Sequence, residues 1–341
     1  MRIAICAIGV TAVDAIPAVR DIRAMTSDLP DRRAIPADAS LSMIPAADGW
    51  PLRHFAWPAP AGNTRGTMLF AGGRGDIVEK YLEALHHWHA QGWQIESFDW
   101  RGQGGSGRIG PDPRVGHADD FAPWVEDLAD HFAAVQASSP GPHVIVAHSM
   151  GGHLVLRALV EKRIAPDAVV FSAPMLGLQS APFSPAVAEK VARFMTRIGA
   201  PARAAWKSNE RPARPGASRR AFLTHSDERY EDEIWWKAER PELALGPPSW
   251  RWLELAYGST LATFRPGALE GVTVPILLLG ADHDKLVSPA AIVEAARRLP
   301  HARLVRFGAE AAHEILREAD PVRLRALDAI DRFLDETAAA R

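Results

Sequence analysis

The sequence predicts an α/β fold built on a mostly parallel central sheet with helices on both faces. Short apolar runs that end at Gly, Asp, Ser or Pro alternate with helical patterns of the length that crossover connections need. Such alternation is typical of parallel sheets covered on both faces by helices. The alternation stops between about residues 175 and 264, where no strand is evident in the sequence, so we expect an inserted helical cap there.

The composition excludes several classes of protein. The chain has 341 residues, with 39 Lys and Arg against 41 Asp and Glu and a net charge of −2. A charge so close to zero does not favour a nucleic acid or another polyanion as partner. Cys6 is the only cysteine, so the sequence cannot form a disulfide framework or a thiolate metal cluster. No apolar run approaches the roughly 20 residues of a transmembrane helix, and we expect a cytoplasmic protein.

The predicted division of the chain has three parts. Residues 1–40 form a leader, residues 41–174 and 265–341 form the core, and residues 175–264 form the helical cap. The leader has three open interpretations. Arg2 followed by a short apolar stretch resembles a signal peptide; the alternatives are a flexible leader, or a start codon assigned too early, with Met25 or Met43 as the first residue.

The core elements follow in chain order. LSMIPAADGWPLRHFAW, residues 41–57, predicts a hairpin around Asp48 and Gly49. Six later strands are predicted at TMLFAGG, WQIESFDW, HVIVAHS, DAVVFSAP, VPILLLG and ARLVRFG. Helices are predicted at YLEALHHWHAQG, residues 81–92, and at DDFAPWVEDLADHFAAV, residues 119–135.

The inserted segment combines tryptophans with an uneven distribution of charge. Its tryptophans, which we expect to form an apolar wall, are Trp206, Trp235, Trp236, Trp250 and Trp252. Basic residues concentrate in 190–220 and acidic residues in 227–242. The basic set is Lys190, Arg193, Arg197, Arg203, Lys207, Arg211, Arg214, Arg219 and Arg220. Either the two halves pair with each other, or the basic patch holds an anionic head group or a phospholipid surface. The turn-rich stretch 208–220 is predicted to be a mobile loop.

Ser149 stands where an apolar β-branched run changes into a helical pattern, in the stretch VIVAHSMGGHLVLRAL. A serine on a sharp strand-to-helix turn between small residues is a nucleophile elbow, and here the small residues are Ala147 and Gly151. The amide of Met150 then lies at the helix N-terminus, where it can stabilise negative charge. The alternative interpretation is a serine that only caps the helix.

A serine nucleophile needs a base and an orienting carboxylate. When the serine lies on such a strand-to-helix turn of a parallel sheet, both are expected later in the chain. His313 follows the last predicted strand and is the candidate base. His301 precedes that strand and so belongs at its opposite end. Asp282 and Asp284 share the turn after the strand VPILLLG, and we favour Asp284 as the acid.

The loop FAGGRGD, residues 70–76, supplies candidate donors for an oxyanion hole. Its glycines allow backbone N–H groups to turn toward the nucleophile, and the amides of Arg74 and Met150 are the predicted pair. A phosphate cradle would need a Gly-Lys-Ser/Thr ending that this loop lacks. His86 and His89 are spaced as a metal pair could be, but no third ligand is evident and a helix surface is the expected location. We expect no metal and no cofactor.

These stretches resemble a known family. FAGGRGDIVEKY, DWRGQGGSGR, AHSMGG, SAPMLGL, FLTHSDERY, LLGADHDKLV and GAEAAHEILRE follow one another as in bacterial lysophospholipases of the α/β-hydrolase superfamily. Monoacylglycerol lipase and the serine aminopeptidase-like hydrolases are related to them. The resemblance covers about residues 45–335 and implies the α/β-hydrolase fold, with Ser149, Asp284 and His313 as the triad and Arg74 and Met150 as oxyanion donors. Gly72 departs from the related lipases, which carry the histidine of an HG pair there.

The predicted activity is hydrolysis of carboxylic esters by a serine acyl-enzyme. A lysophospholipid or a monoacylglycerol-like lipid with one acyl chain is the expected substrate, and a peripheral contact of the cap with a membrane is a further expectation. A peptidase or amidase of the same fold and a non-catalytic ligand-binding module are the alternatives. The sequence does not indicate an oligomeric state.

Overall fold

A computed structural model describes residues 31–62, 64–207 and 219–339. Its centre is a sheet of eight strands: β1 Ser40–Pro45, β2 Pro51–Trp57, β3 Gly66–Ala71, β4 Trp93–Phe98, β5 His143–His148, β6 Ala168–Ser172, β7 Ile276–Ala281 and β8 Ala302–Phe307. Hydrogen bonds join them in the order β1-β2-β4-β3-β5-β6-β7-β8. The pairs β1-β2 and β2-β4 are antiparallel, and the remaining pairs are parallel. All the predicted strands are confirmed.

The helices of the described residues are α1 Leu82–Ala90, α2 Ala122–Ser138, α3 Ser149–Val160, α4 Pro185–Arg197, α5 Arg220–Leu223, α6 Asp227–Glu239, α7 Trp250–Thr263, α8 Pro289–Arg298 and α9 Asp320–Thr337. Helices α4 to α7 lie between β6 and β7, in the interval where helices without strands were expected. Three of them begin at serine caps, because the hydroxyls of Ser184, Ser226 and Ser249 each accept a hydrogen bond from the amide three residues later.

Apolar side chains cover both faces of the sheet, as a parallel sheet requires. One face packs against α2, α3, α7 and α8 through Phe121, Trp124, Phe132 and Phe171, all almost fully buried. The other face packs against α1 and α9 through Trp88, Trp93, Ile330 and Phe333. The predicted α/β fold with helices on both faces is therefore confirmed.

The N-terminal residues that the structure describes are attached to the inserted segment. Arg32 and Arg33 both bind the carboxylate of Asp232, with N–O distances of 2.6 and 2.7 Å. The backbone oxygen of Arg32 also accepts a hydrogen bond from the indole of Trp236. Residues 1–30, which include Arg2 and Met25, lie outside the described residues, as do residues 208–218 of the predicted mobile loop.

The parallel strands β5, β7 and β8 bring their carboxyl ends to one edge of the sheet. Ser149 begins α3 directly after β5, Asp284 lies in the turn after β7, and His313 follows β8. This edge is where ligands bind in open α/β sheets. Within the described part of the chain, no helix has the length and apolar character needed to span a bilayer.

Candidate active site

Ser149 occupies a strained turn between β5 and α3. Its φ is +49°, which lies in the left-handed region that L-residues other than glycine seldom adopt. The backbones around it approach closely, because a Cβ on Gly151 would lie 2.4 Å from the carbonyl oxygens of Ala71 and Gly72, and a Cβ on Gly73 would lie 2.9 Å from Cβ of Ser149. The glycines therefore allow the turn to sit against the loop after β3. The serine does not cap the helix through its side chain, since the N-cap residue is His148.

Ser149, His313 and Asp284 form a continuous hydrogen-bonded row. The Oγ of Ser149 lies 2.9 Å from Nε2 of His313, and Nδ1 of the same ring lies 2.7 Å from Oδ2 of Asp284. The other carboxylate oxygen of Asp284 accepts from the amides of Leu286 and Val287 at 2.7 and 3.0 Å. These contacts fix the carboxylate and, through it, the imidazole. This connectivity is the one that nucleophilic catalysis by serine requires.

The two residues weighed as alternatives lie elsewhere. Asp282 pairs with Arg306 at 2.8 Å, and its side chain is 32% exposed, whereas the side chain of Asp284 is fully buried. His301 lies before the start of β8 and accepts a backbone hydrogen bond from Ile276, at the opposite end of the strand. The structure thus brings Asp284 and His313, rather than Asp282 and His301, to Ser149.

Several polar side chains hold the glycine loop 72–75 beside the serine. Oδ2 of Asp76 accepts from the amide of Gly73 at 2.7 Å, and the indole of Trp100 donates to the oxygen of Gly72 at 2.7 Å. The amide oxygen of Gln103 accepts from Gly75 at 2.7 Å, and its nitrogen lies 3.8 Å from the sulfur of Met150. The segments that carry Arg74 and Met150 are therefore connected. Their amides as oxyanion donors stay a prediction.

A buried ionic cluster adjoins the row of three side chains; we define it as Asp76, Lys80, Glu233, Glu314 and Arg317. The ammonium of Lys80 binds Asp76 at 2.6 Å, Glu314 at 2.8 Å and Glu233 at 3.2 Å. Arg317 binds Glu314 and Glu233. All five side chains are almost completely removed from water, so each charge depends on the others for stabilisation.

The charges of this cluster shift its carboxyl pKa values. Burial alone would raise the pKa of Asp76, but Lys80 and His148 lower it well below its usual range. Burial likewise opposes ionisation of Glu233, and Lys237, Lys80, Arg219 and Arg317 lower its pKa well below the usual range. The carboxylates therefore remain ionised at neutral pH despite their burial.

The cluster is connected to the serine turn through His148. Its Nδ1 lies 2.8 Å from Asp76 and 2.9 Å from the hydroxyl of Tyr81, and its ring centre lies 4.9 Å from that of His313. Burial and the carboxylates of Asp76 and Glu314 raise the pKa of Tyr81 well above its usual value, so the hydroxyl keeps its proton. This neutral hydroxyl also donates to Asp76 at 3.0 Å.

The row of three side chains opens into a cavity of about 280 Å³. Its apolar lining comes from α4, α7 and the segments around them: Met175, Leu178, Phe183, Ala188, Val191, Ala192, Trp206, Trp250, Trp252, Leu253 and Tyr257. Three of the five tryptophans predicted as an apolar wall are in this lining. Trp235 and Trp236 are not; they contact each other, and Arg33 lies over Trp235. The prediction is therefore wrong for these two residues.

The expected pairing of basic and acidic halves of the insertion is found at two basic residues of the described part. Arg219 binds Glu233 and Arg220 binds Asp227. Asp232 pairs instead with Arg32 and Arg33, and Arg211 and Arg214 lie outside the described residues.

The expected surface location of the histidine pair on α1 is wrong for His89. Its ring is buried and stacks on Trp57 with the centres 3.9 Å apart, and Nε2 bonds to the oxygen of Pro58 at 2.8 Å. His86 is half-buried and also lies near Trp57.

Sequence reasoning did not identify the ionic cluster. Its members come from the loop after β3, from α6 and from the segment after β8, and no local pattern connects residues so far apart. One signal was present, because Glu314 directly follows His313 and DIVEKY directly follows the glycine loop.

The sheet order, the two antiparallel strands at one side and the serine on a strained turn after β5 define an α/β-hydrolase. Comparison with known proteins identifies the family and its relatives. The family described as "Serine aminopeptidase, S33" matches residues 62–320. A probable lysophospholipase L2 of Haemophilus influenzae is 28% identical over 289 residues, covering 83% of this chain and 87% of that protein. Lysophospholipase L2 of Escherichia coli is 32% identical over 294 residues, covering 79% and 80%.

A solved structure has the same fold. The soluble variant of monoglyceride lipase from Saccharomyces cerevisiae superimposes with a TM-score of 0.71 at 18% identity, covering 89% of this chain and 97% of that one. The chain belongs to the serine aminopeptidase S33 family of α/β-hydrolases. The predicted kinship with lysophospholipases and the predicted class, a carboxylic ester hydrolase, are confirmed.

Proposed function

We propose that the protein hydrolyses lipid esters with a single acyl chain, such as lysophospholipids or monoacylglycerols, through an acyl-enzyme on Ser149. The observation that carries the proposal is the row Ser149–His313–Asp284, of which Ser149 and His313 line a cavity that three tryptophans also line. Two relatives with the name lysophospholipase support the substrate class. A cavity that has an apolar part and a polar part containing Ser149 suits an acyl chain whose ester carbonyl is held at the polar end.

The proposed reaction proceeds in two acyl transfers. Nε2 of His313 takes the proton of the Ser149 hydroxyl as Oγ attacks the ester carbonyl, and the buried carboxylate of Asp284 stabilises the resulting imidazolium. The amides of Arg74 and Met150 stabilise the oxyanion. When the intermediate collapses, His313 returns the proton to the departing alcohol. Water then attacks the acyl-enzyme by the same route and releases the fatty acid.

A peripheral contact with a membrane belongs to the same proposal. Helix α4 and the residue that follows it expose Val187, Phe194 and Ile198, together with the charged Arg197, and α4 also contributes to the cavity lining. An exposed apolar stripe with basic residues is typical of helices that lie in a membrane interface. Cosedimentation with anionic vesicles tests it: Phe194→Ser should reduce the bound fraction, and an equal bound fraction for the variant would refute the contact.

The proposed activity is tested by labelling and hydrolysis together. The wild type should react covalently with a fluorophosphonate and hydrolyse p-nitrophenyl acyl esters, and Ser149→Ala should lose both reactions. Amino-acid anilides serve as the comparison, because the family description names an aminopeptidase. Faster turnover of anilides than of esters would replace the proposal with a peptidase. Failure of the folded wild type to react with either the label or the esters would indicate a non-catalytic module.

A further inference from the structure

The proposed reaction determines where its leaving group departs. The proton that leaves with the alcohol comes from Nε2 of His313, so the leaving oxygen must lie within hydrogen-bond distance of that nitrogen. In a lysophospholipid the leaving alcohol carries the phosphate, whereas in a monoacylglycerol it carries only hydroxyl groups. The side chains beside His313 therefore decide between a charged and a neutral leaving group.

Two backbone hydrogen bonds show which residues lie on the same side of the cavity as His313. The amides of His313 and Glu314 donate to the oxygens of Phe222 and Leu223, at 3.3 and 2.7 Å. These bonds attach α5 to the loop of His313 and place Phe222 next to it. Lys285 follows Asp284 directly and puts its ammonium 5.5 Å from the centre of the Phe222 ring. Lys285 thus lies on the His313 side of the cavity and is part of its lining.

The other basic side chains of the lining already have partners. Lys80 is held by the three carboxylates of the ionic cluster, and Arg219 by Glu233. The guanidinium of Arg74 donates to the oxygen of Gly246 and lies over Trp252. Lys285, by contrast, is exposed and forms no salt bridge with any residue that the structure describes. Its charge is compensated by no carboxylate of the described residues.

We infer that Lys285 binds the phosphate of the leaving group and gives the enzyme a preference for lysophospholipids over monoacylglycerols of equal chain length. This inference rests on the proposed function. A lysine ammonium is a compact charge that forms strong hydrogen bonds with phosphate oxygens. Its flexible stem lets the ammonium, which lies near the Phe222 ring, follow a phosphate that leaves with the alcohol. The apolar lining from α4 and α7 offers no comparable group, so the acyl chain takes that part of the cavity.

The experiment compares two substrates on the same set of variants. Decanoyl lysophosphatidic acid and monodecanoylglycerol share their acyl chain and differ in the phosphate; both are used below their critical micelle concentrations, so that membrane or micelle contact does not contribute. The variants are Lys285→Ala, Lys285→Arg and, as the matched control, Lys190→Ala. Lys190 is an exposed lysine of α4 outside the cavity lining, and its removal changes the net charge by the same amount.

We expect Lys285→Ala to lower kcat/KM for the phosphate ester about tenfold, mainly by raising KM. A loss of this size is expected when one partly solvated charge-assisted hydrogen bond is removed. The loss for the neutral ester should stay below about threefold, Lys285→Arg should retain most of the phosphate preference, and Lys190→Ala should change the ratio of the two substrates little. Unfolding temperatures report whether any variant fails to fold.

Two results separate the inference from the proposed function. If the wild type hydrolyses both esters and Lys285→Ala lowers both equally, Lys285 does not recognise the phosphate and the inference is wrong while the function stands. If the folded wild type hydrolyses neither ester, the proposed function fails first.

Discussion

Two aspartates in the turn after β7 have different surroundings, although only one residue separates them. Asp284 is buried, accepts two backbone N–H bonds and contacts His313, whereas Asp282 forms a partly exposed pair with Arg306. A carboxylate that orients an imidazole must itself be held in place. The environment, rather than the residue type, distinguishes the two carboxylates, and we assign the orienting role to Asp284 as a prediction.

This assignment predicts the effect of two parallel substitutions. Asp284→Asn should lower kcat by a factor on the order of 10⁴, because the imidazole loses its tautomer preference and the partner for its positive charge. Asp282→Asn should change kcat by less than about threefold, since it removes only a surface pair. Steady-state kinetics on an ester, with circular dichroism to confirm folding, measures both. Equal losses in the two variants would contradict the assignment.

At the level of single residues, the sequence was sufficient to place Ser149 and His313 at one edge of the sheet, because each follows a strand that its apolar run identifies. It left Asp282 and Asp284 open, since both share one turn and only the direction of the side chains distinguishes them. The contacts of Asp76 with His148 and Tyr81 were not predicted, although Asp76 directly follows the glycine loop. Contacts between distant segments depend on the packing of the whole fold, which periodicity does not report.

Among the elements, α4 has two different faces beside the cavity. Ala188 and Ala192 face the cavity and are small, whereas Val187 and Phe194 on the same helix are exposed. The small side chains leave space that the tryptophans of α7 enclose. The length of acyl chain that the cavity accepts should therefore depend on the volume at these alanines.

Filling this space should shorten the preferred substrate. In the wild type we expect kcat/KM to rise from acetyl to medium-chain esters, because each buried methylene contributes about 0.8 kcal/mol, about fourfold in kcat/KM. Ala192→Phe should remove this increase and leave acetyl ester hydrolysis within about threefold. Ala186→Phe, at an exposed position of the same helix outside the cavity lining, is the control. An unaltered chain-length profile in Ala192→Phe would show that the acyl chain binds elsewhere.

The elements of the core were predictable for a physical reason. Strands β3, β5, β6 and β7 are buried on both faces, so each of them reads as a short apolar run that turn residues end. The tertiary position of Trp235 and Trp236 was not predictable in this way, because an aromatic residue on a helix can pack against a ligand cavity or against the core. In the structure, Trp236 contacts Arg32 and Trp235 contacts Arg33, and neither tryptophan lines the cavity.

For the molecule as a whole, buried histidines make stability depend on pH. Burial lowers the pKa of His131 to about 4, with His54 acting in the same direction and Glu96 against it. Burial, aided by Arg157, lowers the pKa of His153 to about 3. A histidine whose pKa is lower in the folded state binds more protons when unfolded, so stability falls as pH drops below about 6.5. Asp99 has the opposite effect on stability. Burial raises its pKa to about 6, so the folded state binds more protons than the unfolded state and Asp99 favours folding as the pH falls.

The contribution of His131 can be isolated by substitution. Between pH 6.5 and 4 the wild type should lose about 3 kcal/mol more unfolding free energy than His131→Gln, from a pKa lowered by about 2.5 at 1.36 kcal/mol per unit. Urea unfolding at a series of pH values measures the difference, and His301→Gln, at an exposed position, is the control. Parallel stability curves for His131→Gln and the wild type would contradict the predicted coupling.

The left-handed backbone at Ser149 has a thermodynamic consequence that activity measurements do not report. Holding a non-glycine residue at φ +49° costs on the order of 1 kcal/mol, which the rest of the fold must offset. Ser149→Gly and Ser149→Ala both remove the hydroxyl, but only glycine relieves the backbone. We therefore expect the glycine variant to unfold at a higher temperature than the alanine variant, by about 1 to 2 degrees if the whole strain is released. If calorimetry gives equal melting temperatures, the turn is unstrained; a higher value for glycine would mean that this protein is less stable than it could be because it keeps its serine.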